Sequence, residues 1–207
     1  MTEGLDSSTG CIQPRYGIVL RSYLPERRSC LLFDRFRGMI TINFGRQRKV
    51  PSIVNGALLR YVLEERAGRF FFEDVSLHSL PSQWALDDIL FLHHVLEISE
   101  AFLAEEQADR SIMNLLLELH HPLTNFDDIE LYRIVFMGRL FMTLGLYPDE
   151  ESSISIRDAL GLIYHLEDTT INSRRGSQWK SSLICWLKRC VAQHPHAHTF
   201  KTVGFLK

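Results

Sequence analysis

The period of the apolar residues changes once, at Pro81, and that switch sets what the chain can fold into. Before it the text has strand character. Tyr16–Tyr23 (YGIVLRSY), Cys30–Phe36 (CLLFDRF) and Met39–Phe44 (MITINF) are short runs of β-branched and aromatic residues. Met39-Thr41-Asn43 alternates with Ile40-Ile42-Phe44, as on a half-buried strand. Arg37-Gly38 supplies a tight turn between two of these runs. Ala57–Glu64 and Arg69–Leu77 follow, joined across Ala67-Gly68 as a hairpin, although Ala57–Glu64 also suits a helix by propensity. Five short strands with a basic loop over Gly45–Asn55 predict a small barrel rather than an open sheet. Residues 1–12 read as a disordered tail.

After Pro81 the period is that of a helix. Trp84–Glu106 places Leu86, Ile89, Leu90, Leu92, Val95, Leu96, Phe102 and Leu103 on an apolar face. Asp109–His121 predicts a second helix and Phe126–Leu144 a third, stopped by Gly145 and Pro148. Ser155-x-x-Asp158 opens a fourth, with Ala159, Leu162, Ile163 and Leu166 on one side. In the last, Trp179, Leu183, Trp186, Leu187, Cys190 and Val191 share one face. The expected fold class is α+β: a tail over 1–12, a five-stranded OB-like barrel over 13–80, and an α-helical bundle over 81–207.

The composition fits this plan. With 45% apolar and 23% charged residues in 207, the chain is an ordinary globular one. It has no apolar run of membrane-span length and no secretory leader, so no membrane contact and a cytoplasmic location are expected. Cys11, Cys30, Cys185 and Cys190 are too scattered for a disulfide framework.

Charge is distributed unevenly. Residues 1–80 hold 12 Lys/Arg against 8 Asp/Glu, 81–150 hold 3 against 13, and 151–207 hold 8 against 4; the balances of +4, −10 and +4 give the net −2. Arg27, Arg28, Arg35, Arg37, Arg46, Arg48 and Lys49 crowd one stretch with a single acid, Asp34, making it a candidate polyanion surface. Phe33, Phe36 and Phe44 are interleaved with them and are expected to fill the core. Arg174, Arg175, Lys180, Lys188 and Arg189 form a second basic cluster, which either extends a nucleic-acid path or solvates the last helix.

Chemistry finds little support. No P-loop, G-x-G-x-x-G, H-E-x-x-H or G-x-S-x-G occurs. Asp87-Asp88 and Asp127-Asp128 suit helix starts, where the dipole favours acids. Cys185 and Cys190 diverge around a helix, so with His194, His196 and His198 they make a poor zinc site. His93-His94 and His120-His121 read as boundary residues. The expectation is no enzyme, no catalytic residue, no metal and no cofactor.

Several motifs, in order along the chain, resemble those of bacterial RecO, the recombination mediator. Tyr16-Gly17-Ile18-Val19-Leu20-Arg21 is similar to its opening strand, and Phe36-Arg37-Gly38-Met39-Ile40 to its "RGKI"-like turn. Gly45-Arg46-Gln47-Arg48-Lys49 falls where RecO has a basic loop. Phe136–Pro148 resembles the "F..RLL..LG..P" helix end, and Phe200–Leu206 the closing "LKSLRFL". Asp149–Ile156 holds no cysteine where many RecO proteins place a four-cysteine zinc module, so the resemblance is to a divergent member and carries over no zinc site. It implies a DNA repair and recombination protein that binds single- and double-stranded DNA, anneals strands, and helps load RecA together with RecR. It also implies contact with the tail of single-strand-binding protein through the helical domain, and a nucleoid-associated location. Arg46, Arg48 and Lys49 match the family's basic loop directly; the other arginines enter by charge alone. The rival expectation is a protein-interaction adaptor that keeps the fold, has lost DNA binding, and works through its acidic middle.

Overall fold

The structure is a computed structural model that describes residues 14–45, 53–123, 128–146, 173–193, 198 and 200, with the backbone alone over 173–179. The expected tail, the loop residues Arg46, Arg48 and Lys49, the helix opening at Ser155, and the side chains of Arg174 and Arg175 lie outside the described residues.

Five strands, β1 (Arg15–Ser22), β2 (Ser29–Asp34), β3 (Gly38–Asn43), β4 (Leu58–Arg66) and β5 (Arg69–Ser79), close into a barrel of order β1-β2-β3-β5-β4. This is the expected OB-like barrel. The segment that also suited a helix is β4, because its residues pair with β1 on one side and β5 on the other. All neighbours are antiparallel except β3 and β5, which meet in parallel through Ile42↔Phe70 and Asn43↔Phe71.

The side chains of β1 to β3 serve two cores. Val19, Cys30, Leu32, Ile40, Ile42 and Phe44 point into the barrel with Tyr61 and Phe72. Ile18, Leu20, Leu31, Phe33 and Met39 point outward and join the helices. Burial on both faces explains why β2 reads as a continuous apolar run rather than an alternating one.

Among the described residues the helices are α1 (Gln83–Leu86), α2 (Ile89–Phe102), α3 (Arg110–Glu118), α4 (Ile129–Thr143) and α5 (Ser173–Gln193). Trp84 is their hub: it touches Phe91, Tyr132 and Phe136, and its indole N–H donates to the His121 carbonyl at 2.9 Å. Leu183, Trp186, Leu187, Cys190 and Val191 of α5 complete this core, as their spacing predicts. Arg21 of β1 pairs with Glu100 of α2 at 2.7 Å, fastening barrel to helices.

Three expectations need correction. The single helix over Trp84–Glu106 is two, because the Asp88 carboxylate accepts the Phe91 N–H and starts a new helix. Leu86, Ile89 and Leu90 therefore leave the apolar face and are exposed. His94 is no boundary residue but is fully buried in α2. Phe36, expected in the core, is 67% exposed.

Asp109 and Asp128 cap α3 and α4 in the same way as Asp88 caps α2. At the end of α4, Gly145 takes a left-handed φ of 81°, and Leu146 donates back to the Phe141 carbonyl, a Schellman stop. No helix among the described residues is long and apolar enough to cross a membrane.

Candidate nucleic-acid interface

The β2–β3 turn is built from inside the barrel. The Asp34 carboxylate is fully buried and accepts the backbone N–H groups of Phe36 and Arg37, each at 2.7 Å. The Tyr61 hydroxyl donates to its second oxygen. Burial, and then the Asp34 charge, pushes the Tyr61 phenol far above its ordinary range, so it stays a donor. With its base held this way, the turn projects Arg35, Phe36 and Arg37 into solvent.

The β4–β5 hairpin runs alongside. Arg37 pairs with Glu65 at 3.3 Å, and its guanidinium lies 4.8 Å from the centre of the Phe70 ring. Arg66 stands over Phe71 at 5.8 Å and pairs with Glu64 at 2.5 Å. Arg66 and Arg69 face each other directly across the hairpin. Like charges so placed cost free energy unless an anion or ring faces them. Arg35 lies 5.9 Å from the Phe36 ring. The result is a rim that carries four arginines, with the Phe36 ring exposed and the Phe70 ring buried in the barrel. Its two ion pairs are exposed and weak, so a phosphate can displace the carboxylates.

Beside the rim is a cleft of about 350 Å³ along β3. Met39, Ile40 and Phe70 line its base, Arg69 and Gly68 one side, and Glu105 and Glu106 the other. The two glutamates belong to the α2–α3 connection, which is laid against β3: Glu105 bridges Met39, and the Glu106 N–H donates to the Met39 carbonyl at 3.1 Å. Gly38, at a φ of 74°, lets this connection approach, since a Cβ there would collide with the backbone of Gln107.

The predicted basic residues whose side chains are described do not converge on one patch. Arg35 and Arg37 stand at the rim. Arg27 and Arg28 are exposed at the opposite end of β2, about 20 Å along the strand. There the Arg28 carbonyl accepts the Phe44 N–H at 2.9 Å, next to the point where the chain enters the loop carrying Arg46, Arg48 and Lys49. On α5, Lys180 is engaged with Glu130 of α4 at 2.5 Å, whereas Lys188 and Arg189 are exposed.

Arg66 and Arg69 were not among the sequence-predicted site residues, although two arginines flanking Ala67-Gly68 at a hairpin tip were a visible signal. Glu105 and Glu106 gave none, because only the fold brings them to β3. Among the described residues, no group of three His, Cys, Asp or Glu side chains is placed to hold a metal. Cys185 is exposed and Cys190 buried, as their divergence around the helix predicts. Burial raises the Cys30 thiol to about 12, which leaves it protonated and inert inside the barrel. Compared with known proteins, the chain matches no family model and no curated protein.

Proposed function

We propose that this chain is a DNA-binding mediator of the RecO kind. It captures single- and double-stranded DNA on the barrel, anneals complementary strands, and works with a RecR-like protein and the tail of single-strand-binding protein to assist RecA loading. The observation that carries this reading is Phe36, exposed at a turn tip between Arg35 and Arg37, with Arg37 reaching the β4–β5 hairpin at Glu65 and Phe70. An exposed ring gives an unpaired base a stacking surface worth about 1–3 kcal/mol, while guanidiniums follow the backbone. Arg27 and Arg28, exposed at the other end of β2, offer a second basic surface. Two such surfaces would let one molecule hold two strands. The work is binding, with no cofactor and no covalent step, and it implies a cytoplasmic, nucleoid-associated protein.

Strand annealing tests the reading. Complementary oligonucleotides mixed with the protein should pair faster than alone, and a charge reversal at Arg35 and Arg37 should remove the gain. No acceleration by the folded wild-type protein would contradict it.

One observation favours the adaptor reading. Leu86, Ile89 and Leu90 at the α1–α2 junction and Ile129 at the start of α4 are 39–54% exposed. Arg133 joins the two places through Asp88 at 3.7 Å and the Trp84 carbonyl. The acids Asp88 and Glu130 there are more exposed than their cations, Arg133 and Lys180. An apolar corner with an acidic border suits a basic partner. Capture of a basic protein that survives nuclease treatment, with no DNA binding, would establish the adaptor in place of the mediator.

A further inference from the structure

We propose that the cleft between β3 and the β4–β5 hairpin is a base-reading pocket. It would take one unpaired nucleobase with an exocyclic amino group, cytosine in preference to thymine, with Glu105 or Glu106 accepting from that group. The inference rests on the reading of the rim as a single-strand surface and adds selectivity to it.

Four features of the cleft lead there. Its volume of about 350 Å³ lies in the range of small-ligand sites. Its floor is β3 and the start of β5, where Met39, Ile40 and Phe70 are all but buried and Thr41 and Asn43 add polar groups. Its two sides carry opposite charge, Arg69 on the hairpin and the two glutamates on the α2–α3 connection. A nucleotide laid across it would therefore put its phosphate towards Arg69 and the edge of its base towards the carboxylates.

The fourth feature is backbone conformation. Glu106, on one side of the cleft, takes a left-handed φ of 56°. Such conformations are held at a cost and concentrate where a side chain must be aimed. Here the Glu106 N–H bond to the Met39 carbonyl and the Met39–Glu105 bridge do the holding.

Selectivity follows from the donor inventory. An ionised carboxylate only accepts hydrogen bonds. Cytosine presents an amino donor where thymine presents a carbonyl acceptor, on rings of the same size. Carboxylates beside four arginines weaken phosphate binding, a cost that base recognition offsets.

The test compares fluorescein-labelled oligo(dC) and oligo(dT) of about 15 nucleotides, titrated with the full chain at mildly alkaline pH. The wild-type protein should bind oligo(dC) about tenfold more tightly. In E105A/E106A the ratio should fall to about one, with oligo(dT) affinity unchanged or higher because negative charge is removed. R69A should weaken both oligonucleotides alike. Tight, equal binding of both by the wild-type protein would overturn the pocket and leave the rim reading standing. A preference that survives E105A/E106A would also overturn the pocket. Binding of neither would overturn pocket and rim together.

Discussion

Inside the barrel, the Tyr61 hydroxyl donates to the Asp34 carboxylate, and the other oxygen of that carboxylate holds the backbone of Phe36 and Arg37. A core phenol thus fixes the shape of the turn that presents the candidate DNA contacts. Tyr61→Phe should cost about 1–2 kcal/mol, because one buried acceptor loses its donor. Asp34→Ala should cost about 3 kcal/mol or more, since it strands two backbone N–H groups and the phenol. In chemical denaturation the double variant should be less destabilised than the sum of the two, the coupling expected of residues in one network. Simple additivity would contradict the link.

Gly38→Ala tests the attachment of the α2–α3 connection to β3. The substitution meets both a left-handed φ and the Gln107 backbone. A loss of about 2–4 kcal/mol is expected in thermal or denaturant unfolding. Gly68→Ala, also left-handed but with open space around its Cβ, should cost less, about 1–2 kcal/mol. Equal losses would mean that the contact with Gln107 contributes nothing.

His94 gives the fold an acid sensitivity. Burial lowers its pKa from 6.5 to about 4, with a partial opposing effect from Glu97. The folded state therefore favours the neutral ring, and its stability is fully present above pH 6.5. Below that value the unfolded chain takes up a proton that the folded chain refuses, so stability falls until about pH 4, by about 3 kcal/mol. His120, lowered by burial, adds in the same direction. Unfolding curves measured across this range should show the loss, and His94→Gln should remove much of the slope.

Phe36 separates binding from stability. At 67% exposure, Phe36→Ala should change unfolding free energy by no more than about 0.5 kcal/mol. Its affinity for single-stranded DNA should drop about 5- to 100-fold through lost stacking. Unchanged affinity would remove Phe36 from the site.

The fold was largely written in local signals. The change of period at Pro81 separates barrel from helices, and Asp88, Asp109 and Asp128 each cap the helix that follows. Where reading failed, a local rule met a tertiary decision. Phe36 carries the same sequence signal as Phe33 and Phe44, yet the Asp34 turn lifts it out of the core. Leu86, Ile89 and Leu90 follow helical spacing, but a cap at Asp88 rotates the register between them and the rest of α2. The site was less legible, because arginines close in sequence lie at opposite ends of β2. Arg66 and Arg69 join the rim only through barrel closure, and Glu105 and Glu106 reach it only across β3.

The rim's capture of single strands is tested most directly by fluorescence anisotropy with a labelled single strand of about 30 nucleotides, titrated over a series of salt concentrations. With four rim arginines each neutralising a phosphate, log Kobs against log salt should fall with a slope of about −3. Charge reversal at Arg35, Arg37, Arg66 and Arg69 in a still-folded protein should abolish that binding. Absence of binding at low salt, or affinity that ignores both salt and the four reversals, would contradict the account.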